Sequence, residues 1–182
     1  MGYNVSVPLG EDCKYDFIVD VESKLLRVQA KSCVEDKTGI SFSCKSTYLL
    51  SSRSYENFYT KEDIDFFCTS YKNICYLVPI ELCGTGTKKL LFEKSNTPLN
   101  NTLWIQDYEA SKILELVKTN HVFTKKEYKI RQYSLEGSLI QIFNSCGEAT
   151  RSLGKPKNYT LINRCINGER KTAFGYIWKI VE

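Results

Sequence analysis

Residues 2–31 read GYNVSVPLGEDCKYDFIVDVESKLLRVQAK, and the fold turns on this stretch. Val5 and Val7 alternate with polar neighbours as far as Pro8, the period of a strand that a proline ends. Gly10 to Lys14 reads as a turn. From Asp16 the alternation resumes, with Phe17, Val19 and Val21 on one side and Asp16, Ile18 and Asp20 on the other. Glu22-Ser23-Lys24 is a polar hairpin connection. Leu25 to Lys31 is the next strand, with Leu26, Val28 and Ala30 on one face and Arg27, Gln29 and Lys31 on the other. Antiparallel neighbours joined by so tight a turn can bring Asp16 together with Gln29 and Lys31.

The pattern downstream is mixed. Residues 39–44 (GISFSC) read as a strand. Thr60-Lys61-Glu62-Asp63 resembles a capped helical turn before Ile64, Phe66 and Phe67. Ile74 to Ile80 (ICYLVPI) is an apolar run suited to a buried strand, and residues 103–118 fit a helix with Ile113, Leu114, Leu116 and Val117 as its stripe. The fold class expected is α/β.

Composition narrows the chemistry. At 182 residues the chain holds one full domain and at most a small appendage. No run of 18 apolar residues predicts a membrane span, so no membrane partner is expected. Met1 to Asp12 carries a proline and two acids where a secretory signal has a basic start and an apolar run; a cytoplasmic location, in a bacterial or phage-infected cell, is expected. The chain has one histidine, His121, which excludes HNH nucleases, zincins and histidine metal cages. None of the cysteines at 13, 33, 44, 68, 75, 83, 146 and 165 stands in C-x-x-C spacing, so they are read as reduced and mostly buried. The sequons at Asn4, Asn100 and Asn158 carry no meaning in a cytosolic chain. Charge divides unevenly: residues 1–121 carry a net −2 and residues 122–182 a net +6, which suggests an anionic partner for the tail.

Asp16, Gln29 and Lys31 together suit a metal-dependent phosphodiesterase. A carboxylate holds Mg²⁺ (or Mn²⁺), a hard ion that prefers oxygen, and the Gln29 amide oxygen and the Ala30 carbonyl add two more ligands. Lys31 orients a metal-activated water or stabilises the transition state. By spacing alone, D-x(12)-Q-x-K reads more readily as solvent-facing polar residues on a half-buried sheet.

The same residues resemble the PD-(D/E)XK nucleases associated with group I introns, restriction-like homing endonucleases related more distantly to Holliday junction resolvases. The matching elements are Pro8-Leu9-Gly10, Tyr15-Asp16 and Gln29-Ala30-Lys31. They continue through Asp63-Ile64-Asp65-Phe66-Phe67 and Tyr76-Leu77-Val78-Pro79-Ile80 to an Asn-rich element and helix around Asn100 to Leu114. The resemblance spans roughly residues 2–118. It implies a restriction-endonuclease-like core and a metal-dependent DNA endonuclease with Asp16, Gln29 and Lys31 at its centre. It also implies a homo-oligomer, dimer or tetramer, because each active site cuts one strand. Two departures stand out. Gln29 replaces the usual acidic residue, a change this branch of the family tolerates. The helix that normally precedes the Gly-Tyr strand, often bearing a site-facing Glu, has no counterpart before Met1-Gly2-Tyr3, and Glu11 and Asp12 are the nearby acids that could substitute.

The tail reads as a second module. Ile130 to Phe143 looks like a hairpin turning at Glu136-Gly137. Ser145-Cys146-Gly147-Glu148 is a capping box for a helix to Leu153, ended by Gly154. Lys155-Pro156-Lys157 forms a turn, Asn158 caps a second helix and Gly168 ends it. Leu161, Ile162, Cys165 and Ile166 form its apolar stripe. Phe174, Tyr176, Trp178 and Ile180 alternate as a last strand with an aromatic core face. This segment resembles the NUMOD-type repeats found beside homing endonuclease domains, through Gln132-Tyr133, Phe143-Asn144-Ser145, Glu148-Ala149-Thr150-Arg151, Ile162-Asn163-Arg164-Cys165 and Gly175-Tyr176-Ile177-Trp178. It implies helix-turn-helix binding to double-stranded DNA. Arg151, Lys157, Asn158, Tyr159, Thr160, Asn163 and Arg164 are the candidate contacts, with Arg170 and Lys171 on phosphates.

The expected organisation is therefore a nuclease domain over 1–121 that ends at His121, a linker over 122–129, and a DNA-binding module over 130–182. No small-molecule cofactor is expected. The rival readings are a resolvase acting on branched DNA and a non-catalytic DNA-binding protein.

Overall fold

In a computed structural model the described residues are 2–10, 12–50, 53–94, 103–125 and 127–181. The chain folds as two compact units that divide after Lys125. In chain order the first carries β1 (Asn4–Ser6), β2 (Phe17–Val21), β3 (Lys24–Ala30), β4 (Cys33–Asp36), β5 (Gly39–Ser43), β6 (Lys45–Leu50), β7 (Arg53–Phe58), β8 (Phe66–Tyr71), β9 (Ile74–Pro79), β10 (Thr87–Leu91), β11 (Leu103–Trp104) and α1 (Ala110–Lys118). The second carries β12 (Lys129–Tyr133), β13 (Leu139–Phe143), α2 (Cys146–Ser152), α3 (Tyr159–Ile166) and β14 (Ile177–Val181).

The expected alternation organises the first unit. A five-stranded sheet runs β1-β2-β3-β8-β9. Glu22 and Ser23 take φ of 52° and 71°, closing β2 onto β3 in a two-residue turn whose twist suits antiparallel neighbours. β3 then pairs parallel to β8, Val28 opposite Phe66 and Ala30 opposite Cys68. On one face Val19, Val21, Val28, Phe66, Cys68 and Leu77 pack under Ile113, Leu114 and Val117 of α1. On the other, Phe67, Tyr76 and Val78 meet Ile40, Phe42 and Leu90 of a four-stranded sheet ordered β11-β10-β5-β4. Both faces of β8 and β9 are thus covered, so Phe66 to Thr69 and Tyr76 to Pro79 are continuously buried.

Some expectations need correction. The helix expected over 103–118 forms only from Ala110. Leu103 and Trp104 instead pair with Leu90 and Leu91, and the Trp104 indole donates to the Phe92 carbonyl at 3.1 Å. Leu116 of the expected stripe is exposed. The expected capped turn at Thr60 forms: Ile64 N bonds Thr60 O at 3.1 Å, and Asp63 accepts from Thr60 N at 2.9 Å. Part of the expected linker is docked, since the Phe123 ring meets Phe66 edge-on at 5.8 Å and Lys125 Nζ donates to the Cys83 carbonyl at 2.7 Å. The Asn-rich element falls largely outside the described residues.

The second unit is a sheet ordered β13-β12-β14 with α2 and α3 against it. Ser145 Oγ accepts from Glu148 N at 3.1 Å, while the Glu148 carboxylate bonds Asn144 N at 2.7 Å, one residue short of the reciprocal box contact. Gly154 (φ 68°) ends α2, where Lys155 N reaches Thr150 O at 2.8 Å. Ile162 and Cys165 are buried, with Leu161 and Ile166 packed beside them. Asn158 stands at the start of α3, but its side chain makes no capping bond. The aromatic alternation begins late: Phe174 (φ 56°) and Gly175 lie in a turn, and the strand starts at Ile177. Among the described residues no helix is long and apolar enough to cross a membrane.

Candidate active site

Asp16 stands one residue before β2. Its backbone N–H donates to the Val28 carbonyl at 2.9 Å, which extends the pairing beyond Phe17 opposite Val28 and sets Asp16 against Gln29. Asp16 Oδ2 accepts from Ala30 N at 2.7 Å and from Gln29 Nε2. The same Gln29 nitrogen donates to the Ala30 carbonyl at 3.2 Å. One N–H donor therefore fills the space between an anionic oxygen and a main-chain carbonyl. A side-chain amide turns over to suit its partners, and turning Gln29 over brings a third oxygen to the same place. A carboxylate, an amide oxygen and a carbonyl form an oxygen set that fits Mg²⁺ or Mn²⁺. The set has one formal charge: among the described residues no three His, Cys, Asp or Glu side chains gather as a metal site. Asp16 and Ala30 are exposed, so a phosphodiester can reach them. Glu11 lies outside the described residues, and Asp12 is exposed.

Lys31 follows on the same edge. Its backbone N–H bonds the Cys68 carbonyl of β8 at 2.8 Å. Its ammonium donates to the Tyr59 hydroxyl at 3.1 Å and lies 4.8 Å from the Tyr59 ring centroid. Tyr59 in turn packs edge-on against buried Phe67, centroids 5.4 Å apart. The sequence reading missed Tyr59, because nothing local marks a residue 28 positions from Lys31. It also missed the clamp beneath the site. Arg27, two residues before Gln29 on the same face, donates to Asp65 from its backbone at 2.8 Å and from its guanidinium at 3.0 and 3.1 Å. Arg27 also holds the Lys61 carbonyl at 2.8 Å and the Glu62 carbonyl. The Thr60 turn is thereby tied to β3. Asp65 raises the Arg27 pKa, chiefly through that hydrogen bond.

Cys68, opposite Ala30, brings a second unread feature. Its sulfur lies 3.1 Å from that of Cys75. Hydrogen bonding from Cys68 pulls the Cys75 thiol down to about 7, while the Cys68 thiol is pushed up by donating that bond and by burial. All eight cysteines are free; five are buried, while Cys13 and Cys75 are exposed.

A family model for PD-(D/E)XK endonucleases matches residues 1–111. The chain belongs to the PD-(D/E)XK endonuclease family. In this PD-(D/E)XK chain the match takes in Asp16, Gln29, Lys31 and Tyr59, and so the whole cluster just described. A NUMOD1 domain model matches residues 128–166, which hold β12 to α3. A bacterial homing endonuclease of known structure aligns over 65% of this chain and 82% of its own, at 23% identity and a TM-score of 0.49. No curated protein matches the chain.

In the NUMOD1 segment, Tyr159, Thr160 and Arg164 are exposed along α3, and Asn163 is half-buried. Arg151, Lys157, Asn158, Arg170 and Lys171 are exposed around it. Two of the expected contacts are engaged within the chain: Arg164 Nε lies 3.6 Å from Glu169, and Arg170 Nε donates to the Thr172 carbonyl at 2.6 Å.

Proposed function

We propose that this endonuclease is metal-dependent and of homing type, hydrolysing phosphodiester bonds in double-stranded DNA at the Asp16, Gln29 and Lys31 edge. The observation that carries the reading is the convergence of Asp16 Oδ2 and the Ala30 carbonyl on one donor, the Gln29 amide, with Lys31 the next residue of the chain after Ala30. Asp16, the Gln29 amide oxygen and the Ala30 carbonyl hold the metal. When bound, Mg²⁺ or Mn²⁺ acidifies a water and neutralises phosphate charge. Lys31 attracts the scissile phosphate and stabilises the extra negative charge of the pentacovalent state. Tyr59 holds its ammonium. The Ala30 N–H keeps the Asp16 carboxylate in place. The body up to His121 cuts, and the module from Ile130 grips the duplex through Tyr159, Thr160, Asn163 and Arg164 of α3, with Arg151, Lys157, Asn158, Arg170 and Lys171 on the backbone. Each site cuts one strand, so duplex cleavage calls for two or more copies.

The test is incubation of the purified chain with mixed-sequence plasmid or phage DNA, in Mg²⁺ and in EDTA, beside Lys31→Ala and Asp16→Ala. Cutting in Mg²⁺ that both variants lose supports the reading. Cutting that survives in either variant, or in EDTA, refutes it. A four-way junction as a parallel substrate separates duplex from branched-DNA specificity.

A further inference from the structure

β6 and β7 form a sheet of two, in register from Lys45 opposite Phe58 to Leu50 opposite Arg53. Every residue of β7 is exposed, as are Thr47 and Tyr48 of β6. An isolated two-stranded ribbon is marginal in water, so one that stands free of the core invites a surface to lie against. Its two ends are anchored. Cys44 before it is buried, and Tyr59 after it packs on Phe67 and touches Lys31. The ribbon therefore ends one residue before Tyr59, the partner of the Lys31 ammonium.

Its chemistry is slightly basic, with exposed aromatic rings at Tyr48, Tyr55 and Phe58 among polar side chains. Glu56, the only acid between residues 45 and 58, is paired with Lys45. That leaves the charge of Arg53 uncompensated within the ribbon. By register, Ser46, Tyr48, Arg53, Tyr55 and Asn57 share one face. Tyr48 and Tyr55 stack across the strands at 5.5 Å and 17°, stiffening that face between Arg53 and Asn57. Six paired residues extend about 20 Å, the length of about six base pairs at roughly 3.4 Å each. A ribbon two strands wide is what a major groove about 12 Å across admits. Arginine matches guanine and asparagine matches adenine by paired hydrogen bonds.

Resting on the endonuclease reading above, we infer that the β6–β7 ribbon enters the major groove beside the scissile phosphate and reads bases there through Arg53 and Asn57. It is a reader additional to the NUMOD1 segment, and it couples base recognition to the site through Tyr59 and Lys31.

The experiment exposes the full chain to a pool of duplexes with a randomised core, in Ca²⁺ to permit binding without cutting. Retained duplexes are sequenced, and the same pool in Mg²⁺ locates the cut. The wild type is compared with Arg53→Ala/Asn57→Ala and with Ser54→Ala on the opposite face. All three residues are exposed, so folding is preserved. In the double variant, two or three base positions near the cut lose a discrimination of roughly fivefold to a hundredfold. Positions farther away keep theirs, and Ser54→Ala changes none. Unchanged base preferences in the double variant overturn the inference. So does a change in sedimentation with preferences intact, which makes the ribbon a subunit contact. A wild type that neither retains nor cuts any duplex defeats the endonuclease reading first, and the ribbon inference with it.

Discussion

The Lys31 ammonium donates to the Tyr59 hydroxyl at 3.1 Å and lies over the same ring, so one aromatic side chain both orients and shields the candidate catalytic cation. Tyr59→Phe removes the oxygen and keeps the ring. The expected result is a fall in kcat of roughly fivefold, the worth of about 1 kcal/mol of hydrogen bond. KM and the melting temperature stay near wild type, because Phe still packs on Phe67. Single-turnover cleavage with a thermal melt checks this, and a melt that falls in step with activity counts against a positioning role.

Gln29→Glu tests the metal site without relying on cleavage. Asp16 Oδ2 now accepts from the Gln29 amide. A second carboxylate there removes that donor and adds like-charge repulsion. In EDTA the variant should melt below wild type, and more so at higher pH. The introduced acid has a folded pKa raised above its unfolded value, so stability present below the unfolded pKa is lost as pH rises through the folded one. Mg²⁺ should raise its melting temperature more than it raises that of the wild type, because binding to the folded state alone stabilises it. Equal Mg²⁺ shifts in the two proteins would place the metal elsewhere.

Cys75 should be the thiol that reacts earliest as pH rises. Its pKa near 7 lies below the usual thiol value of about 8.5. Since thiolate is the nucleophile, its iodoacetamide rate should climb through pH 7 and level off above about pH 8. Peptide mass spectrometry follows the site directly. Cys68→Ala withdraws the hydrogen bond and should carry the midpoint back up; an unmoved midpoint would show that Cys68 does not set it.

Gly39 leaves no room for a side chain. A Cβ there would lie 2.1 Å from the Leu90 carbonyl oxygen and 3.0 Å from Leu91 Cα, both main-chain atoms of the neighbouring strand. Gly39→Ala should destabilise the first unit by roughly 1–3 kcal/mol or more. Gly84, with nothing within 4 Å of its Cβ position, is the control and should tolerate alanine. Chemical denaturation of both variants decides it.

Much of the site was legible because its geometry is local. The Glu22-Ser23 turn and the alternation on either side of it are enough to set Asp16 against Gln29, and Lys31 follows two residues on. The caps of α2, at Ser145 and Gly154, are likewise written within a few residues. The helix expected from residue 103 failed because Leu103 and Trp104 found partners in Leu90 and Leu91, a choice no local pattern announces. The β6–β7 ribbon went unread because both its faces mix polar and apolar residues, and alternation marks a strand only when one face is buried.

The sequence by itself determined the β1–β3 meander, the Asp16, Gln29 and Lys31 edge, and the capped helix of the tail, since two-residue turns, period-two patterning and capping act between near neighbours. Tertiary structure alone decided what surrounds that edge. The parallel β3–β8 pairing, the Arg27–Asp65 clamp across 38 residues and the Tyr59 contact across 28 exist only because two packed cores bring distant strands together. Contacts at such separations are selected by burial and packing of the whole unit, which no short stretch of sequence encodes.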